Sequence, residues 1–475
     1  MNFILTASAL VFPLITHPYV SRVLGPGGLG RAEFASSVIN YFIMIAMLGV
    51  PTYGIRACAR VRDDREKLSK TVQELMIING AMALLCYILL ALAILLVGRF
   101  REMKLLLWVS STGILLNALG VNWFYSAIEE YGYITVRSLV FKVLSILVMF
   151  LFVRSPEDVA WYVAVILIAS YGSYVLNFLR LRKYITFRRF SHYEFWPHIK
   201  ISLIFFAMAV ATTVYTNLDV VMLGFMRDDT QVGFYNTAVR VKSILVSLVT
   251  SLGTVLLPRL SYYVEKGERE EFTRILEKAF RFVFFAAIPL TAFFMLFARE
   301  TVLVLSGDRF LPSVPAMVAI MPTVLLIGLT NILGIQIMVP TEQEKKVTVS
   351  VTVGGVVDLV LNALLIPSLG ALGAALGTLA AEAAVLLVQL VMCRALLGRM
   401  SLSVPWQVLA ATAAGSVLAV LVRFLPIPWV LLRLAAEAAV FGAVYLAMCL
   451  LTREPMLRED ILPRIRALPE KLRVT

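Results

Sequence analysis

The sequence predicts an all-α polytopic membrane protein, with about fourteen transmembrane helices of about 20 residues each. We expect two parallel six-helix lobes around a central cavity, followed by two C-terminal helices. Of its 475 residues, 60% are hydrophobic and only 15% are charged, whereas soluble domains carry about 25% charged residues. Apolar stretches recur along the whole chain, and basic residues concentrate in alternate connections between them. These observations together exclude a soluble globular fold.

The apolar stretches are each long enough, or nearly so, to cross about 30 Å of hydrocarbon. They are approximately 2–20, 34–55, 73–97, 104–127, 133–153, 158–179, 201–225, 233–257, 276–298, 315–340, 347–366, 371–393, 404–424 and 428–452.

Lys and Arg cluster in four segments on alternate connections, at 56–70, 180–200, 259–274 and 453–473. Basic loops stay on the cytoplasmic side of a membrane. Because the number of spans is even, both termini are predicted to be cytoplasmic. The net charge of +13 mostly reflects this bias, so no nucleic-acid partner is expected.

The first apolar stretch is expected to be a span rather than a removable signal peptide. It lacks a basic leader and a small-residue cleavage site. The four cysteines are widely spaced and form no CxxC pair. Two of them fall inside spans and two near cytoplasmic ends, where disulfides are rare, so we interpret them as small apolar residues.

An internal repeat divides the chain. A shift of 203 residues places Gly30 on Gly233 and Arg56 on Arg259, and in both copies a charged segment follows the Arg. Six spans per copy give both copies one orientation, the parallel-repeat organisation of some secondary transporters. The predicted parts are an N-lobe at 1–181, a cytoplasmic linker at 182–200, a C-lobe at 201–397, two further helices at 398–452 and a basic cytoplasmic tail at 453–475.

The motifs of several enzyme classes do not occur in the sequence. It contains no GxxxxGK[ST], HExxH or GxSxG, and only three histidines. We therefore expect no enzymatic activity, no metal and no cofactor. A membrane-embedded glycan polymerase or ligase would need a large external loop for its acceptor, and the longest predicted outer loop, at 299–313, is short.

Several segments resemble Wzx-type polysaccharide flippases of the multidrug/oligosaccharidyl-lipid/polysaccharide superfamily. The most specific is PYVSRVLGP at 18–26, followed by GLG at 28–30. Others are NYF at 40–42, GVPTYGIR at 49–56, RVRD at 60–63, DVVMLG at 219–224, VGFYN at 232–236, PR at 258–259, NALLIP at 362–367 and GALGAA at 370–375.

This resemblance implies two six-helix lobes that alternate between inward-open and outward-open states. It implies a substrate of polyprenyl-pyrophosphate-linked oligosaccharide, moved from the inner to the outer leaflet for polysaccharide biosynthesis. A polysaccharide polymerase and glycosyltransferases are the expected protein partners. A lipid II flippase and a multidrug/cation antiporter of the same superfamily remain alternatives.

Charged residues within or at the ends of spans are the candidate site. Charges are costly at membrane depth and usually face a cavity or a partner. The candidate substrate contacts are Arg22, Arg56, Lys142, Arg240 and Arg259, because Arg can bind a pyrophosphate with two parallel hydrogen bonds. The alternative is that those at helix ends are headgroup anchors.

Acidic residues within spans are candidates for ion coupling or for structural ion pairs. Asp219 is the candidate for coupling, because it lies on a presumed cavity helix and burial favours proton uptake by a carboxylate. Asp358 and Glu382 are expected to be structural partners of basic residues. Glu437, four residues after Arg433, is expected to pair with it on one helix face.

The charge distribution gives a topology that can be tested. Single cysteines at 65, 192 or 267 in a cysteine-free protein should be protected from an impermeant thiol reagent in intact cells. Cysteines at 31 or 309 should react, because these residues are predicted to face outward. Labelling of position 65 from outside would overturn the orientation.

Overall fold

The computed structural model describes residues 2–398, 400, 406–461 and 463, and all of its regular elements there are helices. The chain forms two compact units, Met1–Gly233 and Phe234–Thr475. The helices of the first unit are α1 (Asn2–Met47), α2 (Val50–Ala59), α3 (Arg65–Leu96), α4 (Gly98–Glu102), α5 (Lys104–Gly120), α6 (Asn122–Ala127), α7 (Tyr131–Phe152), α8 (Val159–Leu167), α9 (Tyr174–Leu181) and α10 (Phe195–Met226).

Helix α11 (Asp229–Lys266) begins in the first unit and continues into the second. The second unit also contains α12 (Arg269–Leu296), α13 (Ala298–Ser306), α14 (Val314–Ile320), α15 (Thr323–Thr330), α16 (Glu344–Leu369), α17 (Ala371–Leu397), α18 (Trp406–Leu421) and α19 (Val430–Leu451). Short π-helical or 3-10 segments occur at 168–172, 308–313, 331–338, 422–424 and 456–461.

The predicted spans are confirmed as long apolar helices. Within the described residues, 12 helices are long and apolar enough to cross a membrane, or 13 when the bent pair Asp308–Ile320 and Thr323–Met338 counts as one span. Each predicted stretch matches one of these, except that the first two both overlap the continuous segment Phe12–Ala59. Large apolar side chains such as Leu95 and Leu364 are more than 60% exposed, as expected where a helix faces lipid rather than water.

The first two predicted spans are joined by a backbone break rather than by a loop. Gly25 has φ 68° and ψ 179°, which interrupts the helical geometry of α1. Such a conformation is open to glycine because it has no Cβ. Pro26 follows, and proline favours the first position of a helix, where its missing N–H costs nothing. The expected connection at 21–33 is therefore mostly helical.

Local signals mark the start of α2 and the start of α3. Gly49 adopts a positive φ of 75° immediately before α2. Asp64 caps α3 by accepting hydrogen bonds from the backbone N–H groups of Glu66 and Lys67, each at 3.1 Å. These bonds, together with the Lys67 ammonium, lower the pKa of the Asp64 carboxyl. A charged cap of this kind stabilises the start of a helix.

The basic segment before α10 contains no helix between 183 and 194. Several of its hydrogen bonds go to α3: Gln73 donates to the carbonyl of Thr186 at 2.7 Å, and Glu74 accepts from the backbone N–H of Glu194 at 2.7 Å. Glu74 also bonds to the His198 ring at 2.9 Å. The Lys70 ammonium, 3.1 Å from Glu194, lowers the pKa of that carboxyl.

In the second unit, α16 and α17 form a tightly packed helical hairpin. Gly370 turns the chain between them with φ 57°. A Cβ at Gly373 would lie 2.5 Å from the carbonyl oxygen of Leu365 and 2.9 Å from the nitrogen of Ile366. The absence of a side chain at Gly373 therefore lets the two helices pack closely.

The two compact units are defined by contacts between residues, whereas the predicted lobes are defined by the internal repeat. Helix α10 packs against α1, α2 and α3 and belongs to the first unit. The boundaries at 181, 200 and 397 stay a prediction.

The hairpin contact predicts a pair of opposite effects. Gly373→Ala should lower the thermal midpoint in detergent, because the added methyl group meets backbone that cannot move aside. Gly355→Ala on α16 should leave it unchanged or raise it, since no atom lies within 4 Å of that Cβ and alanine favours helix by about 1 kcal/mol over glycine. Equal midpoints for the two variants would contradict the proposed packing.

Candidate functional site

Helices α1 and α11 approach each other through glycines near their predicted outer ends. A Cβ at Gly30 would overlap the carbonyl of Asp229 and lie 2.9 Å from the nitrogen of Gly233. A Cβ at Gly233 would overlap the carbonyl of Pro26. The two backbones can touch here because both residues are glycine. We call residues 26–30 with residues 229–233 the glycine contact.

The glycine contact has the symmetry of the internal repeat. A shift of 203 residues relates Pro26 to Asp229 and Gly30 to Gly233. Gly30 therefore meets the counterpart of Pro26, while Gly233 meets Pro26 itself. Gly27 also faces its own counterpart, because its Cβ would lie 3.6 Å from the hydroxyl oxygen of Thr230. Such reciprocity is the property of a two-fold axis.

Ion pairs surround the same contact. The Asp229 carboxylate bonds to the Arg31 guanidinium at 3.3 Å and to that of Arg99 at 2.5 Å. The Asp229 side chain is only 13% exposed. It begins α11, where the helix dipole also favours a negative charge. Phe34 packs over Gly224 beside this cluster, where a Cβ would overlap its ring.

A polar cavity of about 310 Å³ lies on the predicted cytoplasmic side of the glycine contact. Asn40, on its wall, is ten residues after Gly30 on α1, about 15 Å along the helix. Its amide donates to the Asn217 side-chain oxygen at 3.2 Å. The polar side chains on the wall are Asn40, Thr52, Asn117, Thr213 and Asn217.

Five of the twelve residues that line this cavity carry neutral hydrogen-bonding side chains, and the other seven are apolar or glycine. Amide side chains both donate and accept, and hydroxyl groups do the same. Sugars, which present many hydroxyl groups, match such a wall. Among the described residues that line the cavity there is no carboxylate or cation. The wall also includes apolar residues such as Met44 and Phe205.

The predicted basic residues of the first unit lie at different depths. Arg22 is exposed and donates to the Pro18 carbonyl at 2.6 Å, just before the Gly25 break. Arg56 is exposed in the last turn of α2. The helix 26–47 separates them, about 30 Å long at 1.5 Å per residue. They therefore cannot meet the same phosphate group together in this conformation.

Lys142, the third predicted basic residue, reaches the other end of α1. Its ammonium donates to the Ser8 hydroxyl at 2.8 Å. Ser8 precedes Arg22 by fourteen residues, about 21 Å of helix, so the structure does not bring Lys142 and Arg22 together.

The remaining predicted residues lie on α10 and α11. Arg240 is half-buried and Arg259 is exposed, nineteen residues further along α11, about 28 Å at helical rise. Asp219 is buried on α10 at 7% exposure, close enough to the Tyr41 hydroxyl to interact with it electrostatically. Asp219 is not on the wall of the polar cavity. Its coupling role and the substrate role of the basic residues remain predictions.

The buried cation Arg137 has a structural explanation. It donates to the Ser173 hydroxyl at 2.8 Å and to the Asn122 side-chain oxygen. Its guanidinium lies 5.5 Å from the Tyr133 ring centre and 5.3 Å from that of Tyr174. Hydrogen bonds and aromatic faces together make a buried charge tolerable.

Sequence reasoning missed the glycine contact, its ion pairs and the cavity amides. The search was directed at charges inside spans, whereas the cavity wall is uncharged. A signal was available in the spacing of Thr213 and Asn217, which places both on one face of α10. The 203-residue shift places Asp229 on Pro26, but it does not indicate that Arg31 and Arg99 are the ion-pair partners of Asp229.

Comparison with known proteins agrees with this architecture. Residues 2–264 match the model of a family described as "Polysaccharide biosynthesis protein". A protein of Escherichia coli (strain K12) named "Putative O-antigen transporter" is 23% identical over 403 residues, covering 82% of this chain and 94% of that protein. One of the same name in Shigella dysenteriae is 24% identical over 396 residues, covering 82% and 97%.

Solved structures share the fold. A lipid II flippase, MurJ, in an inward closed conformation superposes with a TM-score of 0.76 at 15% identity, covering 94% of this chain and 98% of that one. An inward-facing multidrug resistance transporter of the MATE family gives 0.63 at 14% identity, covering 82% and 96%. At these identities the likeness concerns the fold alone.

Proposed function

Since the chain belongs to the polysaccharide biosynthesis protein family, whose model matches residues 2–264, we propose that it is a flippase for lipid-linked oligosaccharides. It moves polyprenyl-pyrophosphate-linked glycan units from the inner to the outer leaflet of the bacterial plasma membrane by alternating access. Its termini are cytoplasmic. Glycosyltransferases supply its substrate and a polysaccharide polymerase uses its product.

The observation that carries this proposal is the position of the glycine contact relative to the polar cavity. The contact joins two helices at their predicted outer ends, and the cavity lies about 15 Å further in. That depth is near the middle of a hydrocarbon layer about 30 Å thick, where secondary transporters bind their substrates. A site near mid-membrane is where a carrier that moves its substrate by alternating access binds it.

The substrate chemistry follows from the cavity wall. Asn40, Asn117 and Asn217 provide both donors and acceptors for sugar hydroxyl groups. The pyrophosphate is assigned to the predicted basic residues Arg22, Arg56, Lys142, Arg240 and Arg259, which contact it in turn at different depths. The lipid tail stays in the bilayer.

The two alternative functions from the same superfamily can be compared by the charge that they require around the substrate. A multidrug/cation antiporter would be served by acidic residues around its substrate, whereas the described wall of this cavity is uncharged. Sequence relatives named as O-antigen transporters favour the oligosaccharide over lipid II. Asp219 is retained as the coupling residue of the carrier.

The cavity assignment predicts a loss of flipping without a loss of folding. Asn217→Leu removes donor and acceptor from the wall and should slow translocation of a fluorescent polyprenyl-pyrophosphate oligosaccharide in proteoliposomes roughly tenfold, the effect of about 1.4 kcal/mol. Thr212→Val, an exposed position on the same helix, is the matched control and should flip at the wild-type rate.

Competition with unlabelled compounds identifies the substrate class in the same assay. An excess of the unlabelled oligosaccharide lipid should slow the wild type, while a lipophilic cation should not. Full activity of Asn217→Leu would remove the cavity from the pathway, and strong competition by the cation would favour the antiporter.

A further inference from the structure

Glu437 on α19 is fully buried, with 0% of its side chain exposed. Among the described residues, none donates a hydrogen bond to either of its carboxylate oxygens. The nearest cation is Arg423, whose Nε lies 3.9 Å from Oε1 of Glu437, beyond hydrogen-bond distance. An ionised carboxylate without a hydrogen bond is very unfavourable in such a place.

Arg423 directs its hydrogen bonds elsewhere. Its terminal nitrogen donates to Glu300 at 3.2 Å and to the carbonyl of Leu296 at 2.7 Å. Its guanidinium lies 5.1 Å from the centre of the Phe297 ring. Arg423 therefore neutralises Glu300 directly and Glu437 only at longer range.

The other charged groups near Glu437 do not take the place of a hydrogen-bond donor. Arg433, the partner expected from the sequence, instead donates to the carbonyl of Ile427 at 2.7 Å. Arg299 on α13 is exposed. The parts of α12 and α18 that pack nearby, residues 282–296 and 406–421, contain no ionisable side chain.

Apolar side chains make up the remaining surroundings. Leu434 and Phe441 lie three residues before and four residues after Glu437, on the same helix face. Phe441 packs with Phe293 and Phe297 in one buried cluster. These rings exclude water, so desolvation favours the neutral form of the carboxyl.

We propose that Glu437 is a proton-binding site, protonated in this structure and in exchange with the outer side through Glu300 and Arg423. Loss of the proton leaves a carboxylate that draws the Arg423 guanidinium away from Glu300. The two acids thus compete for one cation, and proton uptake or release at Glu437 decides which of them holds it. The proton goes to and comes from water at the partly exposed Arg423 end of the cluster.

Proton binding at Glu437 goes beyond the proposed flippase function and does not depend on it. The test therefore uses no substrate. Infrared spectra of the full chain in lipid nanodiscs, recorded across pH, should show a protonated-carboxyl C=O band that persists at neutral pH. Glu437→Gln should remove it, while Glu270→Gln, at an exposed carboxylate, should leave it.

Two further variants give opposite shifts of the same band. Glu300→Gln frees Arg423 for Glu437 and removes a neighbouring negative charge, so the band should titrate at lower pH. Arg423→Gln removes the nearest cation, so it should titrate at higher pH. A band that Glu437→Gln leaves intact, or a shift of the wrong sign in Glu300→Gln, would overturn the proposal. Failure of the flipping assay would leave this titration unaffected.

Discussion

The close backbone approach of α1 and α11 at Gly30 and Gly233 is the constraint on which the functional arrangement depends. No residue with a Cβ fits at either position without displacing the opposing backbone. The contact brings together residues that the 203-residue shift relates to one another. Arg31 and Arg99 on Asp229 add a charge-dependent element to it.

Buried charges elsewhere follow the rule that each must be satisfied within the protein, because hydrocarbon supplies no hydrogen bonds. Arg137 meets a hydroxyl, an amide and two aromatic rings, and Glu74 meets a backbone N–H and a histidine. These groups are structural. Glu437 departs from the rule, since its oxygens accept no hydrogen bond from the described residues. The contrast between Glu74 and Glu437 distinguishes a carboxylate held in an ion pair from one that is stable as the acid.

The sequence was sufficient for the membrane class, the approximate span count and the family, because these depend on apolar length, charge asymmetry and recognisable motifs. It placed Glu437 in a span, but it assigned the partner from helical spacing. Arg433 lies one turn away on the same helix, whereas Arg423 is brought close by the turn between α18 and α19. Partners that depend on tertiary contacts are not encoded in local spacing. The Gly25 break was also missed. The segment between the first two apolar stretches contains polar residues and Pro26, and such a segment fits a simple loop equally well.

The cavity amides illustrate a second limit of prediction from the sequence. Asn and Thr cost less than Lys or Asp inside a membrane, so they do not stand out in hydropathy or charge patterns. Their significance comes from convergence: Asn40 on α1, Asn117 on α5 and Asn217 on α10 reach one space although they are far apart in sequence. The order of glycine contact and cavity along α1 then suggests how access to that space is controlled.

The most direct test of this account is a reversible lock on the glycine contact. Gly27→Cys with Thr230→Cys, in a protein whose four native cysteines are replaced, places two thiols where the Gly27 Cβ and the Thr230 oxygen would be 3.6 Å apart. The account predicts that oxidation forms the disulfide, stops translocation of the oligosaccharide lipid in proteoliposomes and is reversed by a reductant. Each single variant should stay active after oxidation. Continued translocation by the fully cross-linked protein would contradict the account.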